Sequence, residues 1–258
     1  MVQLPHPSLP PVPPLWRESR IGLEWAALRR SDVYRGEGVP AGAGRGVLLI
    51  PGFMAGDGSL GTLTLWLRGA GWHTKRGGFR ANVGCSEAAC TRLERRLETL
   101  AERTGQRVTI IGQSRGGVFA KALGARRPDL VAGIITLGAP VRAQLAVHPL
   151  VLAQVGVVAA IGGGVPGLLS WRCLRGECCA PFRAALASPF PPGVGYVAVY
   201  SRSDGIVDWR SCVDPDADAC VEVQGSHCGM SLNPEVYRAI GRALGSFTAR
   251  EADWPQAA

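Results

Sequence analysis

Ser114 and the small residues around it are the part of this chain best suited to chemistry. The mostly β-branched run Val108-Thr109-Ile110-Ile111 leads into Gly112-Gln113-Ser114-Arg115-Gly116-Gly117, and a helical segment follows. Gly-x-Ser-x-Gly between a strand and a helix is the pattern of a nucleophile elbow. The turn is so tight that only small residues fit beside the serine, which is pushed out at the top of a sheet. Gly112 and Gly116 meet that need.

A serine hydroxyl is a poor nucleophile near neutral pH. It needs a base within hydrogen-bond reach, and the base needs a partner that fixes its tautomer. The sequence holds 4 histidines. His6 lies in a proline-rich arm, His73 on an expected strand ahead of the nucleophile, and His148 in an apolar segment. His227 follows the last expected strand and precedes the last expected helix, where a loop can fold over the carboxyl edge of a sheet. It is the candidate base. The acid should lie between Ser114 and His227. Asp204 opens an Asp-Gly turn after the strand Tyr196–Tyr200 and is the first candidate, with Asp208 the second. Asp214, Asp216 and Asp218 read as a solvated acidic loop without the glycine and terminal glutamate of a calcium loop. Two N–H groups should receive the oxyanion of a tetrahedral intermediate. One is that of Arg115, directly after the nucleophile. The other is that of Phe53, in Pro51-Gly52-Phe53-Met54 after the first core strand.

These residues need a scaffold that brings strand ends together. Val47–Ile50, Trp72–Lys75, Arg107–Ile111, Val131–Leu137, Tyr196–Tyr200 and Ala219–Val223 read as strands. Helices are expected over Leu60–Arg68, Glu87–Arg103 (with Leu93, Leu97 and Leu100 at helical spacing), Gly116–Leu123 and Pro234–Phe247. Such alternation predicts a mostly parallel sheet with helices on both faces. Residues 1–14 carry six prolines and read as an extended arm. Residues 15–34 read as a helix packed on the domain edge. Residues 141–194 break the rhythm: Leu150 to Leu169 is almost wholly apolar. The run is long enough for a bilayer span, but Gly162-Gly163-Gly164 and Pro166 fall inside it. A cap over an apolar cleft fits better, the plain alternative being a buried helix pair.

Five segments in order carry a resemblance: Leu-Ile-Pro-Gly-Phe, Gly-Gln-Ser-Arg-Gly-Gly, Leu-Gly-Ala-Pro, Ser-Asp-Gly-Ile-Val and Ser-His-Cys-Gly-Met. Together they resemble the α/β-hydrolase superfamily, and within it bacterial lipases and esterases, over residues 46–248. The resemblance implies the α/β-hydrolase fold with a cap insertion at 141–194, a domain over 46–250, and an arm and edge helix over 1–45. It implies a Ser-Asp-His triad at Ser114, Asp204 and His227, with oxyanion donors at Phe53 and Arg115. Two departures stand out. Pro51 replaces the histidine that many lipases carry before the glycine, and Arg115 replaces the usual Met or Leu after the nucleophile. The family's common calcium pattern is not recognisable, so no metal and no cofactor are expected.

With 258 residues and 47% hydrophobic residues the chain can build an ample core. The net charge is +8, but the arginines are scattered and no basic tract is interleaved with aromatics, so no nucleic-acid partner is expected. Transient contact with a lipid surface is compatible with this charge. The 8 cysteines are many for a reducing compartment. Cys85/Cys90 and Cys212/Cys220 are spaced as local disulfide staples, and Cys173 could join Cys178 or Cys179. A zinc site is disfavoured, because no C-x-x-C pair and no suitably spaced histidine occur. The cysteines point to a secreted or envelope protein. The first residues show no basic stretch followed by an apolar run, the mark of a signal peptide, and point instead to the cytoplasm. The functional expectation is cleavage of small-molecule or lipid esters through an acyl-enzyme. An acyltransferase, thioesterase or amidase would use the same residues. An epoxide hydrolase would need an Asp at position 114, and a non-catalytic binding protein would not need the constellation.

Overall fold

The computed structural model describes residues 14–252; the proline-rich arm and His6 lie outside them. Six strands form one sheet: β1 (Gly46–Ile50), β2 (His73–Arg76), β3 (Val108–Gln113), β4 (Val131–Leu137), β5 (Gly195–Tyr200) and β6 (Ala219–Glu222). Their order is β2-β1-β3-β4-β5-β6, and every pairing is parallel. The central strands are buried along their whole length. That follows from covering a parallel sheet on both faces, and it explains their continuous apolar sequences.

Alternate residues of each strand feed opposite cores. Leu48, Ile50, Ile110, Ile134 and Tyr196 face one side, beneath α3 (Ser86–Thr104) and α4 (Arg115–Arg126). Val47, Leu49, Ile111, Ile135 and Val199 face the other, with α1 (Ile21–Arg30), α2 (Gly61–Gly69) and α8 (Pro234–Ala252). The chain first winds from β1 to β2, then crosses back over β1 to β3 and continues outward. Right-handed crossovers in opposite directions put their helices on opposite faces. The loops after β1 and β3 therefore diverge, and a crevice opens between them at the carboxyl edge of the sheet.

The segment between β4 and β5 holds α5 (Pro149–Ile161), α6 (Trp171–Arg175) and α7 (Ala180–Ala187). Among the described residues no helix is long and apolar enough to cross a membrane. The Gly162-Gly163-Gly164 break ends α5. The last helix differs in kind from the first two. Phe182 of α7 is buried in the main core, its ring 5.4 Å from that of Phe119 on α4. So α7 is the crossover helix that a parallel β4–β5 pair requires, and only α5 and α6 stand away from the sheet.

Two sequence expectations are corrected. All eight cysteines are free thiols. Cys90 sits on the buried face of α3 with its Sγ 3.9 Å from Glu94 Oε1. Cys85 instead lies 3.5 Å from Cys179 Sγ. Cys212 is buried with its Sγ toward the Asp208 carbonyl, whereas exposed Cys220 turns to the Asp214 carbonyl. Short spacing did not make these pairs neighbours, because adjacent elements aim the side chains apart. Nor is the acidic loop wholly solvated. Asp214 is buried and accepts hydrogen bonds from Lys121 Nζ at 2.5 Å and Tyr196 Oη at 3.0 Å. Asp218 accepts from the Tyr196 N–H at 2.8 Å.

Candidate active site

The elbow forms where β3 turns into α4. Ser114 has φ 53° and ψ −123°, a conformation that side chains rarely adopt and that stores roughly 1–3 kcal/mol of strain. The glycines make this possible. A Cβ on Gly112 would strike the backbone of Gly116, and one on Gly116 would strike the carbonyl of Ile50. The Ser114 N–H is anchored to the Leu137 carbonyl at 2.8 Å. The hydroxyl is left facing the crevice.

Asp204 and His227 arrive from loops after β5 and β6. Both are buried, and His227 Nδ1 lies 2.7 Å from Asp204 Oδ2. Asp204 Oδ1 accepts the N–H groups of Ile206 and Val207 at 2.8 and 2.7 Å, which fixes the carboxylate. Burial pushes the His227 imidazolium toward losing its proton, but the neighbouring Asp204 charge outweighs it and Glu18 adds to it, so the pKa is raised. Gln113, the residue before the serine, donates from Nε2 to the His227 carbonyl at 3.0 Å and seats the imidazole beside the elbow. Among the described residues no hydrogen bond joins Ser114 Oγ to His227; such contacts often tighten only when substrate binds. Asp208 lies elsewhere: its Oδ1 caps the turn Trp209–Ser211 by accepting the Arg210 N–H at 3.1 Å. His148 accepts from the Leu150 N–H at the start of α5, and His73 opens β2.

The loop after β1 passes close to Ser114. A Cβ on Gly52 would lie 3.2 Å from Ser114 Cβ. Phe53, Ser114 and Arg115 line one cleft. Arg115 is the first residue of α4, so its N–H has no helical carbonyl to bond. Its side chain does more than the sequence implied. The half-buried guanidinium donates to the carbonyls of Asn82 and Gly84 at 2.9 and 2.6 Å and to Ser86 Oγ at 3.1 Å. It also lies 5.2 Å from the centre of the Phe119 ring. Burial lowers its pKa to about 10, so it stays charged at neutral pH.

Three further residues brace the site and carry no motif. Asn82 donates from Nδ2 to the Pro51 carbonyl at 2.9 Å, and its own carbonyl accepts the Met54 N–H at 3.3 Å. It thereby fixes the loop that carries Phe53. Glu18 and Glu24 come from the segment read only as an edge helix. Glu18 Oε1 accepts the N–H groups of Gly205 and His227, each at 2.9 Å, and Oε2 accepts that of Cys228 at 2.8 Å. Glu24 is buried and accepts the Ser226 N–H at 2.6 Å and the Ser226 hydroxyl at 2.7 Å. The N-terminal segment thus holds the Asp204 and His227 loops together. Two acidic residues, Glu18 and Glu24, amid Trp16, Ile21, Leu23 and Trp25 were the only trace of this in the sequence.

The cleft in front of Ser114 encloses about 650 Å³, mouth included. Its walls are apolar: Val147, Val151 and Val155 come from α5 and its approach, and Leu169 and Leu174 from the segment through α6. Because much of that space is open to solvent, it is the apolar lining rather than the volume that suits an acyl chain.

This architecture occurs in solved structures. A lipase of Bacillus licheniformis in its mature form matches with a TM-score of 0.58 at 14% identity, over 80% of this chain and 93% of that one. The fold here is the α/β-hydrolase fold. A monoacylglycerol lipase of Paleococcus ferrophilus matches at 0.54 and 17% identity, over 79% of this chain and 96% of that one. A soluble variant of monoglyceride lipase from Saccharomyces cerevisiae, in complex with a substrate analogue, matches at 0.55 and 16%, over 83% and 90%. No family model matches the sequence, and no curated protein matches it. At these identities the likeness concerns the α/β-hydrolase scaffold, on which many chemistries occur.

Proposed function

We propose that this protein is a serine hydrolase of carboxylic esters with acyl groups of lipid character. The observation that carries the reading is the buried pair His227 Nδ1–Asp204 Oδ2 at 2.7 Å, held by Gln113 against the strained turn that presents Ser114. That pairing leaves Nε2 to act as base.

Ser114 Oγ attacks the ester carbonyl carbon and its proton passes to His227 Nε2. The carbonyl oxygen becomes an oxyanion, received by the N–H groups of Phe53 and Arg115. Each such donor is worth about 3–4 kcal/mol in the transition state. Asp204 holds the ring in the required tautomer and offsets the charge of the imidazolium. Collapse of the intermediate breaks the bond to the alkoxy oxygen, which leaves as the alcohol with the proton from His227. Water then repeats the sequence on the acyl-serine, releasing the acid and restoring Ser114. No metal and no cofactor enters these steps.

The apolar cleft supports an acyl chain as the recognised part of the substrate. In this reading α5 and α6, within the insertion 141–194, act as the cap. Leu150, Val157 and Ile161 on α5 and Trp171 on α6 are more than half exposed, which supports contact of the cap with a lipid surface. The lipases that share the scaffold act in keeping with this assignment. The test is turnover of p-nitrophenyl esters of increasing chain length by the wild type and by Ser114→Ala. The proposal expects turnover by the wild type and loss of it in the variant. Retained turnover in the variant would remove Ser114 from the mechanism.

A further inference from the structure

Four of the eight thiols converge at a place the proposed hydrolysis does not use. Cys85 lies between β2 and α3, Cys173 on α6, and Cys178 and Cys179 in the short turn Glu177–Cys179 before α7. Their sulfur atoms all lie within 4.8 Å of one another. The Cys85–Cys179 separation is 3.5 Å and the Cys178–Cys179 separation 3.9 Å.

We propose that Cys85, Cys173, Cys178 and Cys179 form a tetrathiolate site for one zinc ion, which fastens the α5–α6 insertion to the start of α3. A zinc–sulfur bond of about 2.3 Å places the corners of a regular tetrahedron about 3.8 Å apart. The two separations above bracket that value. A disulfide would need about 2.05 Å, and four mutually close sulfurs do not sort into two separate pairs. Binding transfers no electrons: four thiols release four protons and the resulting centre carries a net charge of −2.

The surroundings suit that charge. Arg115, already held by the Gly84 carbonyl and Ser86 Oγ on either side of Cys85, is within electrostatic reach of Cys85, Cys173 and Cys179. The first N–H groups of α3 add to this, with Ala88 directed at Cys85 and Glu87 at Cys179. Leu169, Cys173 and Cys179 are the buried members of a small separate core. The other apolar side chains that hold the insertion here, Phe53, Val155, Val158 and Leu174, are only partly buried. The backbone joins the same two segments, through Cys85 N–H to the Gly167 carbonyl at 3.0 Å and Leu169 N–H to the Val83 carbonyl at 2.8 Å. Zinc would complete a clasp that the backbone begins. The absence of any C-x-x-C pair hid the site, because its ligands come from three places in the chain.

The test is metal analysis of the full-length chain, reduced, equilibrated with zinc sulfate and desalted. The proposal expects about one zinc per chain, displaced in step with four thiols by a mercurial. Cobalt in its place should give the thiolate charge-transfer and intense visible bands of a tetrahedral sulfur site. Cys178→Ser, at an exposed ligand, should lose most of the zinc, whereas Cys220→Ser, exposed and outside the cluster, should keep it. Removing zinc from the wild type by chelation should lower its melting temperature. Zinc content unchanged in Cys178→Ser would overturn the site. So would a zinc-free protein, whether denaturation in chelator reveals eight free thiols or fewer.

Discussion

The Glu18 carboxylate accepts the backbone N–H of His227 at 2.9 Å, and through its second oxygen that of Cys228 at 2.8 Å. A residue more than two hundred positions upstream thus positions the proposed base without touching substrate. Removing it frees three backbone N–H groups on two loops. Displacement of a catalytic group by about 1 Å costs on the order of 10²-fold in rate. Glu18→Ala should therefore lower kcat by about that factor with little change in KM. Glu18→Gln keeps the shape and removes the charge, and because Glu18 helps raise the His227 pKa, its acid limb should move to lower pH. An unmoved limb and unchanged kcat would reduce Glu18 to a fold contact.

Asp204 and Asp208 are separable by substitution. Asp204→Asn should lower kcat by roughly 10⁴-fold, because the amide favours the wrong imidazole tautomer. Asp208→Asn touches the cap of a short turn and a pairing with Arg210 at 3.3 Å, both away from His227, and its kcat should stay within about tenfold of the wild type. Steady-state rates on one ester decide the matter, and the opposite ranking would move the acid.

The pH dependence follows from the raised pKa of His227. The base must be neutral to accept the serine proton, so activity is lost as pH falls through that pKa. The acid limb of kcat/KM should have its midpoint above about 6.5, the ordinary value for histidine. In the residual activity of Asp204→Asn the midpoint should fall, since burial then acts without its counterweight. A wild-type midpoint below the ordinary value would contradict the electrostatics described.

The sheet was legible, as was the placement of the candidate residues Ser114, Asp204 and His227 at its carboxyl edge, because each has a local signature. Val131–Leu137 reads as a buried strand from seven residues, and Gly112 to Gly116 permits little besides the elbow. Asp204 was separable from Asp208 only by its place directly after β5, which sets it at the carboxyl edge. The supporting contacts were not legible. Glu18 and Glu24 act mostly through backbone N–H groups of distant loops, and beyond their acidity amid apolar neighbours nothing in the sequence marks that role. The thiols of Cys85 and Cys179 meet only once the turn Glu177–Cys179 folds against the start of α3, so spacing along the chain misassigned their neighbours. The crossover role of α7 was masked by the apolar run before it, since a cap and a sheet-covering helix have similar compositions.

Lys121 and Asp214 form a buried ion pair at 2.5 Å, with Tyr196 Oη as a second donor to the carboxylate. Asp214→Ala leaves the ammonium facing a cavity, with only the half-exposed Asp216 at 3.1 Å. Loss of one partner from such a pair costs about 3–5 kcal/mol. Chemical denaturation should show a loss of this size. The double variant Lys121→Met/Asp214→Leu should recover part of it. A loss under about 1 kcal/mol would mean the pair behaves as a surface contact.

The most direct test of the central claim is the location of the acyl group during turnover. The protein is mixed with a p-nitrophenyl ester, quenched in acid within the first turnovers, digested and mapped by mass spectrometry. The account predicts a burst of p-nitrophenol and an acyl adduct on the peptide containing Ser114, increased in amount when deacylation is slowed. Steady turnover with the adduct on another residue, or with none on Ser114 under conditions where a burst is seen, would contradict it.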